Sequence, residues 1–331
     1  MDDKCSRHKV GVENVGAWGK RTGRGEYKAK YVKIPTVREG LMIRAVCGVN
    51  GVPTFESTVR GFPIYLDNFA IKSLAKGDGS LRRRFVGLFH DGADLLFSIA
   101  NGVEISGAQG ASASTIKDFL DELGPHWYPV DFNPYKVMEH EKAGVDPGGC
   151  CLADDLLRAY FANRTCEHLP GSGKVIDLSP EFFRLGPFVD WLCPERDHFL
   201  ERSRAFDAEL RTSVDKLRAK HKHSAGWLDH VLPLMPFSPR GAATFSFTCL
   251  MRGLISDSGF QVKKGDGMDF CHAVMASSFA TFAALDRQWK RRVENFPKPN
   301  RAARVYYEPE LQAMVTDIEL ALGQSKALAA R

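Results

Sequence analysis

No apolar run in this chain of 331 residues approaches the roughly 18 residues at which a segment becomes a candidate for crossing a bilayer as a helix. The first residues carry no hydrophobic signal region, so the expectation is a cytoplasmic protein without a membrane partner. The eight cysteines stand at irregular spacings. That speaks against a disulfide framework and leaves reduced thiols, with Cys47, Cys249 and Cys271 in apolar surroundings. Cys150, Cys151, Cys166 and His168 lack the paired CxxC spacing of a structural zinc site. Gly171-Ser172-Gly173-Lys174 resembles the tail of a phosphate-binding loop. The glycine needed five residues before Gly173 is His168, however, and Val175 stands where Ser or Thr should follow, so a P-loop is excluded.

Composition is that of an ordinary globular chain, 44% hydrophobic and 26% charged, long enough for one large domain or two of ordinary size. The net charge of +5 is unevenly spread: residues 1–60 and residues 287–304 are strongly basic, the latter with Glu294 as their one acid. Basic clusters suit a polyanionic partner, and they are equally a solvated surface.

Residues 1–60 are rich in Gly, Lys and Arg with little periodicity, apart from Leu41 to Val46, which can add one strand. We read them as a basic N-terminal extension. From Phe62 the pattern alternates: strand Ile64–Leu66, helix Asn68–Ala75, and a helix capped by Ser80 with Leu81, Phe85, Leu88 and Phe89 at helical spacing. Strand Leu95–Ile99 and a helix with Ile116, Phe119, Leu120 and Leu123 follow. Such alternation builds a parallel sheet. Residues 139–249 read as a mainly helical insertion, with a helix start at Ser179-Pro180-Glu181. Phe199, Phe206, Leu210, Val214 and Leu217 form one apolar stripe within it. The alternation resumes near Phe260 with a helix opened by Asp269 and strand Thr281–Leu285. Helix Arg287–Val293, strand Val305–Tyr307 and helix Pro309–Leu322 close the chain.

Four carboxylates stand out in this frame. Asp67 ends the first strand, Glu104 follows the second apolar run, Asp269 begins a helix, and Asp286 ends the strand after it. Acids at strand ends converge at one edge of a sheet, where α/β folds bind ligands. Two negative charges 4 Å apart repel by roughly 4 kcal/mol at an effective dielectric near 20. Four together make sense around a divalent cation, which points to metal-dependent chemistry on an anionic substrate. Each acid also has a plain structural reading as a helix N-cap.

The arrangement resembles the PIN-like nuclease family. The residues carrying the resemblance are YLDN at 65–68, Glu104, and GMDFCHAVMASSFATFAALDRQW at 267–289. It covers about 61–125 and 260–320. Ala284 stands where the family commonly has Thr or Ser, Met268 where it often has Asn, and residues 139–249 far exceed its short helical linker. The resemblance implies a PIN-like parallel β-sheet flanked by helices over 61–138 and 250–331. It also implies Asp67, Glu104, Asp269 and Asp286 as catalytic, metal-binding acids holding Mg²⁺ or Mn²⁺, hard ions that choose carboxylate oxygen. Nucleic acid is the implied partner, RNA before DNA. A structure-specific DNA nuclease is the runner-up. A silent module binding RNA or a protein regulator is disfavoured by the presence of all four acids, and self-association stays open.

Around the acids, Asn68, His272, Arg287, Lys290 and Arg291 are candidate substrate contacts. His272 shares a helix face with Asp269 and is either a substrate contact or a hydrogen-bonded structural histidine. Asn68 and Ser98 can offer polar contacts near a metal, and Asp266 reads as a turn residue. Arg287, Lys290 and Arg291 surround Trp289. They read as phosphate binding with base stacking, or as a solvated helix face with Trp289 in the core.

Overall fold

Strands form here where short apolar runs lie between turn residues, and helices where apolar residues recur every three or four positions. The computed structural model describes residues 43–47, 53–57, 59, 61–108, 110–144, 154–157, 160, 164, 175–176, 180–221 and 226–329. Strands β1 (Ile43–Cys47) and β2 (Pro53–Ser57) pair antiparallel, with Ala45 opposite Phe55. Then come β3 (Phe62–Leu66), α1 (Asn68–Lys76), α2 (Gly79–His90), β4 (Ala93–Phe97), α3 (Ile99–Ser106), α4 (Ala111–Glu122), β5 (Trp127–Pro129) and α5 (Pro134–Lys142). The two-residue β6 (Val175–Ile176) pairs antiparallel with β1. Helices α6 (Leu185–Leu192), α7 (Arg196–His221), α8 (Trp227–Val231), α9 (Ala242–Ser256) and α10 (Asp266–Phe279) follow. β7 (Phe282–Ala284), α11 (Arg287–Glu294), β8 (Arg304–Tyr306) and α12 (Leu311–Ala329) complete the order.

Five strands form one all-parallel sheet in the order β5-β4-β3-β7-β8. The expected α/β class is therefore observed, as a parallel sheet flanked by helices. Tyr65 pairs with Leu96 on one side and Ala283 on the other, so β3 is the central strand. All five residues of β4 are buried, as parallel strands covered on both faces require. The chain runs outward from β3 through β4 to β5, then returns to the opposite side of β3 with β7 and β8. The order reverses between β3 and β7. Just outside the carboxyl ends of strands at such a reversal, open α/β sheets leave a crevice for ligands.

The helical region leans on the same core. Phe188 of α6 meets Phe97 of β4 edge-on at 6.4 Å, and the Trp127 indole donates to the Phe183 carbonyl at 2.8 Å. Phe97 and Phe188 are fully buried, and each such side chain stabilises by about 1.5–3 kcal/mol. Of the expected stripe on α7, Phe206, Leu210 and Val214 are buried, while Phe199 and Leu217 pack at its margin. Helix α9 runs through position 249/250, where the sequence reading ends the insertion.

Several expected boundaries move for local reasons. Asp78, not Ser80, caps α2 by accepting from the Ser80 amide at 3.0 Å. The second strand ends at Phe97 instead of Ile99, because Ser98 and Asn101 form a capping box that starts α3. Glu104 consequently sits within α3, not directly after a strand. Helix α10 begins at Asp266, which leaves Asp269 in its first turn instead of at its opening. The start at Ser179-Pro180-Glu181 becomes a 3-10 turn over Pro180–Phe183. Strand β5 and the pairing of β1, β2 and β6 were not anticipated. Residues 1–42, Cys150, Cys151, Cys166, His168 and residues 171–174 lie outside the described residues.

Candidate metal centre

Asp67 follows the last residue of the central strand. Its amide donates to the Ala284 carbonyl at 3.0 Å, tying the end of β3 to β7 at the order reversal. Its side chain caps α1 and accepts from the Asn68 amide at 2.6 Å. Asn101, on α3, donates from its side chain to the Leu66 carbonyl at 3.0 Å. That bond draws α3, and with it Glu104, against the end of β3. Helix α10 brings Asp269 and His272 on one face. Asp286 follows β7 and caps α11, accepting from the Gln288 amide at 3.0 Å. The cap reading is thus correct for Asp67 and Asp286, and capping occupies only one oxygen of each.

Asp67, Glu104 and His272 each offer a ligand atom within 4.8 Å of the others, a group that can hold a metal ion. His272 is fully buried, Asp67 is 7% exposed and Glu104 is half-buried. The His272 Nδ1 is hydrogen-bonded to the Tyr65 hydroxyl, and its Nε2 lies 3.5 Å from Glu104 Oε2. Glu104 Oε2, His272 Nε2 and Asn68 Oδ1 are buried without a hydrogen-bond partner. Buried polar atoms are normally satisfied. The Glu104 and His272 atoms, 3.5 Å apart, are two orphans within the acidic cluster that a shared cation would satisfy.

Electrostatics point the same way. Burial, opposed by His272 and reinforced by Glu104 and Asp286, raises the Asp67 carboxyl from its ordinary 3.8 to about 6. Burial and then Asp67 raise Asp269 to about 7, again against His272. Burial alone would lower the His272 imidazolium, but Glu104, Asp67 and Asp269 outweigh it and lift it to about 9. Asp286 raises both Asp67 and Asp269. The four expected acids therefore share one field, which rejects further negative charge and accepts a cation. No protein-family model matches this chain, and comparison with curated proteins and with solved structures found no match.

The basic segment divides in two. Arg287 and Arg291 are exposed, with the Arg287 guanidinium 5.9 Å from the Tyr307 ring. Lys290 instead pairs with Glu310 and with Glu294 at 3.5 Å, and Arg292 pairs with Asp257 at 3.0 Å. Trp289 is 1% exposed and meets Phe270 edge-on, so it anchors α11 to the core and is not a base-stacking platform. Ser98 is taken up by the cap of α3. Asp266 is more than a turn residue: it is buried at the start of α10 and accepts from the Lys263 amide and the Gln288 side chain.

Sequence reasoning missed Asp207, a buried residue of α7. Its carboxylate accepts from the amides of Gly265 and Gly267 at 2.9 and 2.8 Å, capping α10 from a helix about sixty residues away. Asp207 thereby positions the helix that carries Asp269 and His272. No local signal marks it, since an Asp on a charged helix looks like surface. Tyr65 was also missed as a partner of His272, because its position in the strand suggests only core.

Proposed function

We propose that this protein is a PIN-like, metal-dependent endoribonuclease that hydrolyses phosphodiester bonds through Asp67, Glu104, Asp269 and Asp286. The observation that carries the reading is the metal-capable group of Asp67, Glu104 and His272 at the strand-order reversal of a parallel sheet, with Asp269 and Asp286 outside that group but within its electrostatic field. Asp67, Glu104 and Asp269 are the residues that would hold Mg²⁺ or Mn²⁺, with Asp286 as the fourth acid. A bound ion of this kind supplies charge neutralisation on the phosphate and activation of water.

The chain's own groups do the rest. Asp67 and Asp269 are held by the ends of β3 and α10, so the charge that receives the ion is fixed before substrate arrives. Arg287, at the start of α11 just after Asp286, and Arg291, in its last turn, are both exposed and attract the phosphate backbone. Asn68, beside Asp67, has a buried side-chain oxygen free to accept a hydrogen bond. RNA is preferred to DNA on the family resemblance alone.

Incubation of purified protein with labelled RNA and labelled DNA plus Mn²⁺, beside Asp269→Asn, tests the reading. Internal cleavage of RNA by the parent and none by the variant is the expected result. Cleavage of DNA alone would move the assignment to the structure-specific DNA nuclease. Equal cleavage by parent and variant would remove Asp269 from the chemistry, and binding of RNA without cleavage would favour the silent module.

A further inference from the structure

His272 does not fit the all-oxygen picture of such a site. It is the one nitrogen donor in the metal-capable group, it is fully buried, and its Nε2 is without a hydrogen-bond partner. We propose that His272 is a metal ligand through Nε2, and that the site is a mixed nitrogen and oxygen site selecting a first-row transition ion such as Mn²⁺ over Mg²⁺. The proposal rests on the metal-centre reading above and adds to its acids a nitrogen donor and the identity of the preferred ion.

Three observations support it. First, two donors each about 2.1 Å from one ion are at most about 4.2 Å apart, and Glu104 Oε2 and His272 Nε2 are 3.5 Å apart. Second, the other ring nitrogen is engaged: the Tyr65 hydroxyl is bonded to Nδ1. In a ligating histidine the second nitrogen donates its N–H to such a partner; with Nδ1–H donating to the Tyr65 oxygen, Nε2 keeps the lone pair that an ion needs. Third, the ring is held in place. Phe132 packs at 4.8 Å and Tyr65 at 5.7 Å between centroids, so Nε2 cannot swing out to seek another partner.

Chemistry then sets the ion. Imidazole suits transition ions, while carboxylate and water suit Mg²⁺, which seeks oxygen in near-ideal octahedra. The simpler alternative is a permanent ion pair, with a protonated His272 neutralising Glu104. In that case the imidazolium would stay protonated at Nε2 whatever ion is present. If His272 is a ligand, binding must release that proton.

Pulsed electron paramagnetic resonance of the wild-type protein with one equivalent of Mn²⁺ separates these. Modulation from a directly coordinated ¹⁴N is expected, and it should vanish in His272→Gln and persist in Asp269→Asn. Calorimetric titration should show wild-type protein binding Mn²⁺ tighter than Mg²⁺. His272→Gln should lose at least the roughly 10–100-fold in Mn²⁺ affinity that removing an outer-shell partner costs, with a smaller change for Mg²⁺. If His272→Gln fails to fold, ¹⁵N-histidine spectra of the wild type carry the test. The His272 Nε2 signal, assigned through contacts with Tyr65 and Phe132, must shift on adding Zn²⁺. Bound Mn²⁺ without nitrogen coupling would overturn the proposal and leave the metal centre standing. No binding of any divalent ion would overturn the centre itself.

Discussion

Asp269 shows how one carboxylate carries two opposing effects. In the metal-free protein it is held near pKa 7, chiefly by burial and by Asp67, so at pH 8 its charge is unfavourable. Replacing it with Asn keeps the shape and removes that charge. We expect Asp269→Asn to lose cleavage while raising the melting temperature of the chelator-treated protein. One pKa unit corresponds to about 1.36 kcal/mol, and relieving about 1 kcal/mol corresponds to roughly 2–4 °C in a domain of 150–250 residues. Differential scanning fluorimetry in EDTA at pH 8 measures it; a variant that melts lower than the parent would mean that Asp269 makes a stabilising contact instead.

At the scale of elements, two helices make separable predictions. Helix α10 is held at its start by Asp207, whose carboxylate accepts the Gly265 and Gly267 amides. A Cβ on Gly267 would lie 2.7 Å from Asp207 Oδ1 and 2.8 Å from Phe206 Cδ1, so the glycine is what permits this close approach. Asp207→Ala leaves two helix-start donors without their partner, at a cost of about 1–3 kcal/mol. Both melting temperature and Mn²⁺ affinity should fall, because the helix carrying Asp269 and His272 loses its anchor. An unchanged Mn²⁺ affinity would limit Asp207 to stability.

Helix α11 offers Arg287 and Arg291 to solvent, while Lys290 and Arg292 are tied to Glu310 and Asp257. Substituting Arg287 and Arg291 by Ala should weaken binding to labelled RNA regardless of sequence. It should also flatten the salt dependence by about 0.7 unit of slope for each phosphate of a single strand that is no longer neutralised. Turnover at saturating RNA should change little. Parallel slopes for the parent and the double variant would leave these arginines out of the interface.

For the whole molecule, the acidic cluster makes metal-free stability depend on pH in a definite direction. Asp67 and Asp269 bind protons more tightly folded than unfolded. Their contribution is complete below the ordinary carboxylate value of 3.8 and is lost as pH rises through about 6 and about 7. His272 acts in the same direction: its contribution is complete below 6.5 and is lost as pH rises through about 9. The melting temperature in chelator should therefore fall between about pH 5 and pH 9. Saturating Mn²⁺ should raise it most at the alkaline end, since the ion binds the deprotonated cluster. Melting curves with and without Mn²⁺ across that range check the claim. A metal-induced gain that shrinks as pH rises would contradict it.

Much of this molecule follows from local chemistry. The strand of Phe62–Leu66, its parallel neighbours and the amphipathic helices are legible because apolar periodicity is dictated by the face each element buries. Asp67 and Asp286 are legible as strand-end acids and helix caps for the same reason: the side-chain preferences of a strand end and a helix start depend on a few adjacent residues. Strand β5, with three residues and a proline, has too little periodicity to be told from a loop. The pairing of β6 with β1 spans more than a hundred residues, and no local signal encodes it. Tertiary structure alone decided that Glu104, well inside α3, comes within ligand distance of Asp67 and His272, with its Oε2 3.5 Å from the His272 Nε2. It also decided that Asp207 reaches the start of α10 and that Trp289 faces the core. Those outcomes depend on which helix packs against which strand, a property of the whole packed core that no short stretch of the chain contains.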